Sequence, residues 1–135
     1  IRGEIHALRS ALDEAGAGPE EIDYISAHGT STQLGDYVES EAILAAFGEK
    51  APHIPVSAVK SMTGHMLAAS GAFEVACTAM GLLEGVVPPT INIREKDSRC
   101  GINLITELSA LEIKTALSSS FGFGGVNAVL VLRKL

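Results

Sequence analysis

The sequence has only two cysteines, Cys77 and Cys100, and no C-x-x-C pair. That argues against a disulfide framework and makes a reducing, cytoplasmic compartment the expectation. Basic residues are also scarce: 10 Lys and Arg stand against 16 Asp and Glu, a formal net charge of -6. Nucleic acid and anionic membranes both reward a basic face, so neither is expected as a main partner. No apolar run reaches the roughly 20 residues that a membrane span needs. The longest candidate follows His65, and Glu74 interrupts it. H-E-x-x-H is absent, and zinc needs three or four convergent ligands, so no metal is expected. Lys60-Ser61 lacks a preceding G-x-x-x-x-G, which removes a phosphate loop. Gly122, Gly124 and Gly125 precede a strand-like run and not a helix, which removes a dinucleotide fingerprint. There is no initial methionine and no signal-peptide pattern, so Ile1-Arg2-Gly3 reads as a cut or processed end.

What is present is apolar material, 47% of 135 residues, enough for the core of one domain or part of a larger one. Ile1, Ile5, Leu8 and Leu12 fall at helical spacing, and Gly16, Gly18 and Pro19 end that helix. Asp23 to Ala27 reads as a short buried strand that opens into a polar loop. Asp36 and Glu39 form a D-x-x-E start signal for a second helix ending near Phe47-Gly48. HIPVSAVK is a second strand. A long helix is expected from His65 to Glu84, closed by Gly85 and Pro88-Pro89. Residues 86–114 read as irregular apart from a short strand at Ile102–Ile105. TALSSS and VNAVLVLRKL are two final strands joined by FGFGG. The alternation of strands and helices predicts a layered α/β fold.

Within this frame four residues stand out. His28 and His65 each lie at the end of a strand-like segment beside glycine and hydroxyl residues, where sites gather in α/β sheets. His6 and His53 read as surface or capping residues. Lys60 and Glu74 are the other two. A lone carboxylate in an apolar helix must be paired or neutral, and Lys60 is its nearest partner in sequence. The pair is either a buried structural bridge or part of a site. A histidine at a helix start stays neutral, because the positive end of the dipole disfavours imidazolium. A neutral ring donates one hydrogen bond, which suits a developing oxyanion. FGFGG is either a tight hairpin connection or a loop whose backbone N–H groups face a ligand.

HGTSTQLGD (His28 to Asp36), KSMTGHMLAASG (Lys60 to Gly71) and SFGFGG (Ser120 to Gly125) occur in this order. Together they resemble the C-terminal part of an elongating β-ketoacyl-acyl carrier protein synthase, over essentially the whole chain. The resemblance implies the C-terminal half of a thiolase-like fold, with helices layered on a mixed five-stranded sheet. It implies decarboxylative condensation of an acyl thioester with malonyl-acyl carrier protein, in fatty acid or polyketide biosynthesis, with no cofactor. It makes His28 and His65 the donors to the malonyl thioester oxygen, with Lys60 paired to Glu74 behind them. It makes Thr30 and Thr32 lining residues of the malonyl pocket. Phe123 becomes the gating aromatic, its N–H half of an oxyanion hole. The implied partners are acyl carrier protein, the N-terminal half of the enzyme, and a second subunit in a homodimer or ketosynthase heterodimer.

Three departures qualify the resemblance. The nucleophilic cysteine belongs to the N-terminal half, and neither Cys77 nor Cys100 takes its place. A central strand is expected upstream of Ile1, so the sheet of residues 1–135 is expected to be incomplete. Ser118 and Ser119 stand where some relatives carry asparagine near a monovalent cation, so no ion is expected. The rival readings are a catalytically silent chain-length factor, a thiolase and a non-enzymatic carrier-protein-binding module. Retention of His28, His65, Lys60 and Phe123 favours the active synthase over the first. Phe123 replaces the basic cysteine that the second requires. His65 stands where initiating synthases carry asparagine. The binding module predicts carrier binding without decarboxylation.

Overall fold

The structure is a computed structural model that describes residues 1–135. Helix α1 (Arg2–Ala15) buries Leu8 and Leu12 and ends on Gly16 in the left-handed conformation. Strand β1 (Tyr24–Ser26) leads to helix α2 (Gln33–Phe47), and β2 (Pro55–Ser57) to the single turn α3 (Lys60–Thr63). Helix α4 (Ser70–Glu84) closes on left-handed Gly85. Short strands β3 (Val86–Val87), β4 (Asn103–Leu104) and β5 (Ser109–Ala110) follow. The chain finishes with β6 (Thr115–Phe121) and β7 (Asn127–Arg133).

Five strands form one sheet in the order β4-β2-β1-β6-β7. The first four run parallel, and β7 returns antiparallel from β6, with Phe121 opposite Asn127. FGFGG is therefore the hairpin connection. The Gly122 N–H donates to the Val126 carbonyl at 2.8 Å. The expected gap is corrected here: β1 occupies the centre and is paired on both edges, so the sheet lacks no central strand.

Strand alternation sorts the core into two layers. Ile25, Val56 and Leu117 point toward α1 and α2, where they meet Leu8, Leu12, Ile43 and Phe47. Tyr24 and Ala116 point to the other face and meet Leu82 of α4 with Val87 and Ile113. Helices thus cover both faces of a mostly parallel sheet, which explains why β1 and β6 read as continuous buried runs. The outer face of α4 has no partner in this chain: Ala72, Phe73, Ala76, Met80 and Leu83 are exposed. Residues 67–84 are apolar enough by composition to span a membrane. The α-helical part, however, covers only 15 residues, and its Glu74 is buried against Lys60.

Two helix starts differ from the sequence reading. Helix α2 begins at Gln33, where the Thr32 hydroxyl accepts from the Gly35 N–H at 3.2 Å. Asp36 and Glu39 lie inside it. The helix expected from His65 begins only at Ser70, after a 3-10 turn over Leu67–Ala69. His65 is in the connection between α3 and α4. The macrodipole argument for its neutrality therefore does not apply.

Candidate active site

The carboxyl ends of three adjacent parallel strands converge. His28 follows β1, Lys60 follows β2, and Phe121 closes β6. The His28 and His65 rings lie edge to face, with centroids 5.6 Å apart and planes at 86°. Phe121 lies edge-on to His28 at 6.1 Å.

Hydrogen-bond partners fix both tautomers. Lys60 Nζ is 3.3 Å from His28 Nδ1 and donates to the His28 carbonyl at 2.6 Å. An ammonium only donates, so Nδ1 accepts and Nε2 carries the proton. At His65, Nδ1 accepts from the Leu67 N–H at 3.1 Å and lies 2.9 Å from Ser70 Oγ. That oxygen accepts the Met66 N–H at 2.8 Å, so its own proton is free for the ring. His65 therefore also holds its hydrogen on Nε2. Leu67 makes this contact at φ 52, a left-handed backbone uncommon for a leucine. His28 is kept neutral: burial first, then the Lys60 ammonium beside it, hold its ring down to about 4.

Lys60 and Glu74 form a buried ion pair, as the sequence suggested. Burial raises the Glu74 carboxyl, against the pull of Lys60. Its second oxygen, Oε2, is buried without a hydrogen-bond partner. Thr30 and Thr32 line a cavity of about 560 Å³ together with Lys60 and His65. Their hydroxyls lie 3.1 Å apart. Phe123 does not join them. Its side chain is fully exposed on the hairpin and lies outside the cavity lining, while Phe121 is the aromatic at His28. Cys77 has its thiol raised by burial and by Glu74, which suppresses the thiolate.

Glu39 escaped the sequence reading as a site residue. It is buried, and its two oxygens accept the N–H groups of His28 and Gly29 at 2.8 Å each. Ser119 Oγ donates to Oε1 at 3.0 Å. Glu39 thus clamps the loop that presents His28. Gly29 has φ 43, and a Cβ there would sit 2.3 Å from that of Ala58, so the loop depends on glycine. The legible signal was position: Glu39, Ile43 and Phe47 share one buried face of α2. Glu39→Ala leaves the His28 and Gly29 amides without their acceptor, while Ser119 Oγ keeps the Ser26 carbonyl at 3.4 Å. At about 1–3 kcal/mol for each orphaned group, a loss on the order of 3 kcal/mol is expected in denaturant melts. A melt equal to wild type would contradict the clamp.

A mixed sheet carrying two Nε2–H histidines and a buried lysine at its strand ends fits the half-site that the sequence resemblance implies. Residues 1–94 match the family described as "Beta-ketoacyl synthase, C-terminal domain". This chain belongs to that family. It is 43% identical over 129 residues to 3-oxoacyl-[acyl-carrier-protein] synthase 2 of Coxiella burnetii, covering 95% of this chain and 31% of that protein. With the synthase 2 of Synechocystis it shares 46% identity over 134 residues, covering 98% and 32%. A type II polyketide acyl-carrier protein complex with its ketosynthase bound to the hexaketide superposes with TM-score 0.95 at 40% identity, covering 98% of this chain and 33% of that one. The ishigamide ketosynthase/chain length factor superposes with TM-score 0.93 at 39% identity, covering 97% and 32%. The chain thus spans about a third of the length of these relatives.

Proposed function

We propose that residues 1–135 form the enolate-stabilising part of a β-ketoacyl-acyl carrier protein synthase acting in fatty acid or polyketide biosynthesis. The observation that carries this is the pair of Nε2–H donors on His28 and His65, whose ring centroids are 5.6 Å apart. A malonyl thioester oxygen placed between them receives both hydrogen bonds. The bond from the malonyl methylene to its carboxylate then breaks, carbon dioxide leaves, and the electron pair becomes an enolate whose charge falls on that oxygen. The enolate carbon attacks the acyl thioester carbonyl on a cysteine, and the cysteine sulfur leaves as thiolate. Donors aimed at the oxygen where charge develops favour the transition state over the ground state.

In this reading Thr30 and Thr32 line the malonyl end of the cavity, Lys60 and Glu74 set the charge behind His28, and Phe123 moves over the entrance. The nucleophilic cysteine comes from the further two thirds of length found in the relatives. That same portion covers the bare apolar face of α4. The working enzyme is cytoplasmic, takes acyl- and malonyl-loaded carrier protein, and is a homodimer or a ketosynthase heterodimer. A chain-length-factor reading draws on the ishigamide similarity. Its catalytic residues need not be retained, so the ordered His28–Lys60–Glu74 array favours the active subunit.

The purified 135-residue chain alone is expected to give no condensation of acyl- and malonyl-carrier protein. An intact ketosynthase carrying these residues is expected to turn over. Turnover by the isolated chain with Cys77→Ala and Cys100→Ala would overturn the assignment of the nucleophile. An intact protein that binds carrier protein without releasing carbon dioxide would replace the enzyme with a binding module.

A further inference from the structure

We infer that the strap Thr90–Asn92, which crosses the start of α3, is a positioning latch for Lys60. It rests on the function proposed above and extends it to residues that line the same cavity but hydrogen-bond neither Lys60 nor His28 directly. Three hydrogen bonds tie the strap to the four residues that contain Lys60. The Ala58 N–H donates to Thr90 Oγ1 at 2.9 Å. The Ile91 N–H donates to Ser61 Oγ at 3.0 Å. Asn92 Nδ2 donates to the Ser61 carbonyl at 3.0 Å. Ser61 Oγ in turn donates to the Ala58 carbonyl at 2.8 Å, closing the turn on itself.

The strap is itself anchored. The Thr90 N–H donates to the Ile105 carbonyl at 2.8 Å, and the Ile105 N–H to Val56 of β2 at 2.9 Å. Asn92 sits at φ 64, a left-handed conformation that asparagine tolerates better than most residues. That backbone is kept to deliver one amide donor to α3. Helix α3 is a single turn, too short to hold its own position by helix cooperativity. The latch supplies the missing constraint, and the tautomer of His28 depends on it, because Lys60 Nζ faces Nδ1.

The charged and titratable groups around His28 are Lys60 from α3, His65 from the α3–α4 connection, Glu39 from α2 and Glu74 from α4 behind Lys60. Protonation of His28 places a second proton on Nδ1, opposite the ammonium. If the latch is released and Lys60 swings away, that opposition weakens. The His28 ring then titrates above its value of about 4, toward the ordinary 6.5.

The test uses the intact ketosynthase with 15N-labelled histidine and three variants. Asn92→Gly keeps the left-handed backbone and removes the amide. Thr90→Val keeps the shape and removes the acceptor, and Thr90→Ser restores it. In Asn92→Gly and Thr90→Val, the His28 nitrogen titration is expected to move up from that of wild type. Their kcat for malonyl decarboxylation is expected to fall about tenfold or more, with KM little changed, since small misplacements of catalytic groups are costly. Thr90→Ser is expected to recover both. A lower melting temperature with an unmoved His28 titration would overturn the latch and leave the strap merely structural. If wild type itself does not decarboxylate malonyl-carrier protein, the function proposed above fails. The His28 titration still decides the latch.

Discussion

His65→Ala in the intact enzyme is expected to lower malonyl decarboxylation by on the order of hundredfold or more while leaving acyl loading of the cysteine largely intact. The split follows from what the ring does. His65 Nδ1 is occupied by the Leu67 N–H and faces Ser70 Oγ, so only Nε2–H is free to act on a substrate. It is a donor and not a base. A donor to the thioester oxygen matters when that oxygen becomes an enolate, and much less before. Acyl transfer to the cysteine develops its charge on a different oxygen, which the resemblance assigns to the Phe123 N–H. Decarboxylation by release of labelled carbon dioxide and loading by mass spectrometry separate the two steps. A variant within a few-fold of wild type in decarboxylation would remove His65 from the enolate site.

The parts of this site legible in the sequence were those with a local physical conflict. Glu74 sits among alanines, valine and phenylalanine in a helix, so a partner was required, and Lys60 is that partner. His28 directly follows β1, as its sequence context indicates, whereas α3 separates His65 from β2, and the His65 ring nonetheless lies 5.6 Å from that of His28. What stayed hidden depended on contacts between residues distant in sequence. Asn92 and Ser61 are 31 positions apart, and nothing local marks an asparagine as a latch. The D-x-x-E at Asp36 and Glu39 looked like a helix start, whereas Thr32 caps the helix and Glu39 turns inward to the His28 loop. Apolar continuity after His65 concealed the break before Ser70, because a 3-10 turn of Leu-Ala-Ala carries the same composition as the helix. The two-residue bridge between β3 and β5 is too short to leave any period in the sequence.

The missing central strand was inferred from the resemblance and not from the residues. Five strands are already present within the chain: Tyr24–Ser26 is short, yet it is paired with β2 on one edge and β6 on the other. Three residues leave little alternation to read, and buried on both faces they show none. Incompleteness lies instead on the surface of α4, where a helix face of Ala72, Phe73, Ala76, Met80 and Leu83 is uncovered. Contiguous apolar surface of this kind marks an interaction site.

Glu74→Ala is expected to destabilise the fold by roughly 3–5 kcal/mol, because it strips the buried Lys60 of its counter-charge. The His28 carbonyl still accepts one Lys60 hydrogen bond, but a carbonyl does not neutralise an ammonium. Glu74→Gln keeps an oxygen acceptor at the same place and is expected to cost less. Denaturant melts check the order, and two variants melting with wild type would dissolve the pair. A further variant separates fold from function. Replacing both partners, Lys60→Met with Glu74→Leu, removes the buried charges together, and such exchanges are often neutral or stabilising. The double variant is therefore expected to recover most of the stability lost in Glu74→Ala. It is not expected to recover decarboxylation. With the ammonium gone, His28 Nδ1 has no donor facing it, its tautomer is no longer fixed, and its ring charges more readily as the pH falls. Recovered melting with lost decarboxylation would show that this ion pair is kept in the core for the histidine beside it. Recovery of both would reduce Lys60 and Glu74 to a structural bridge.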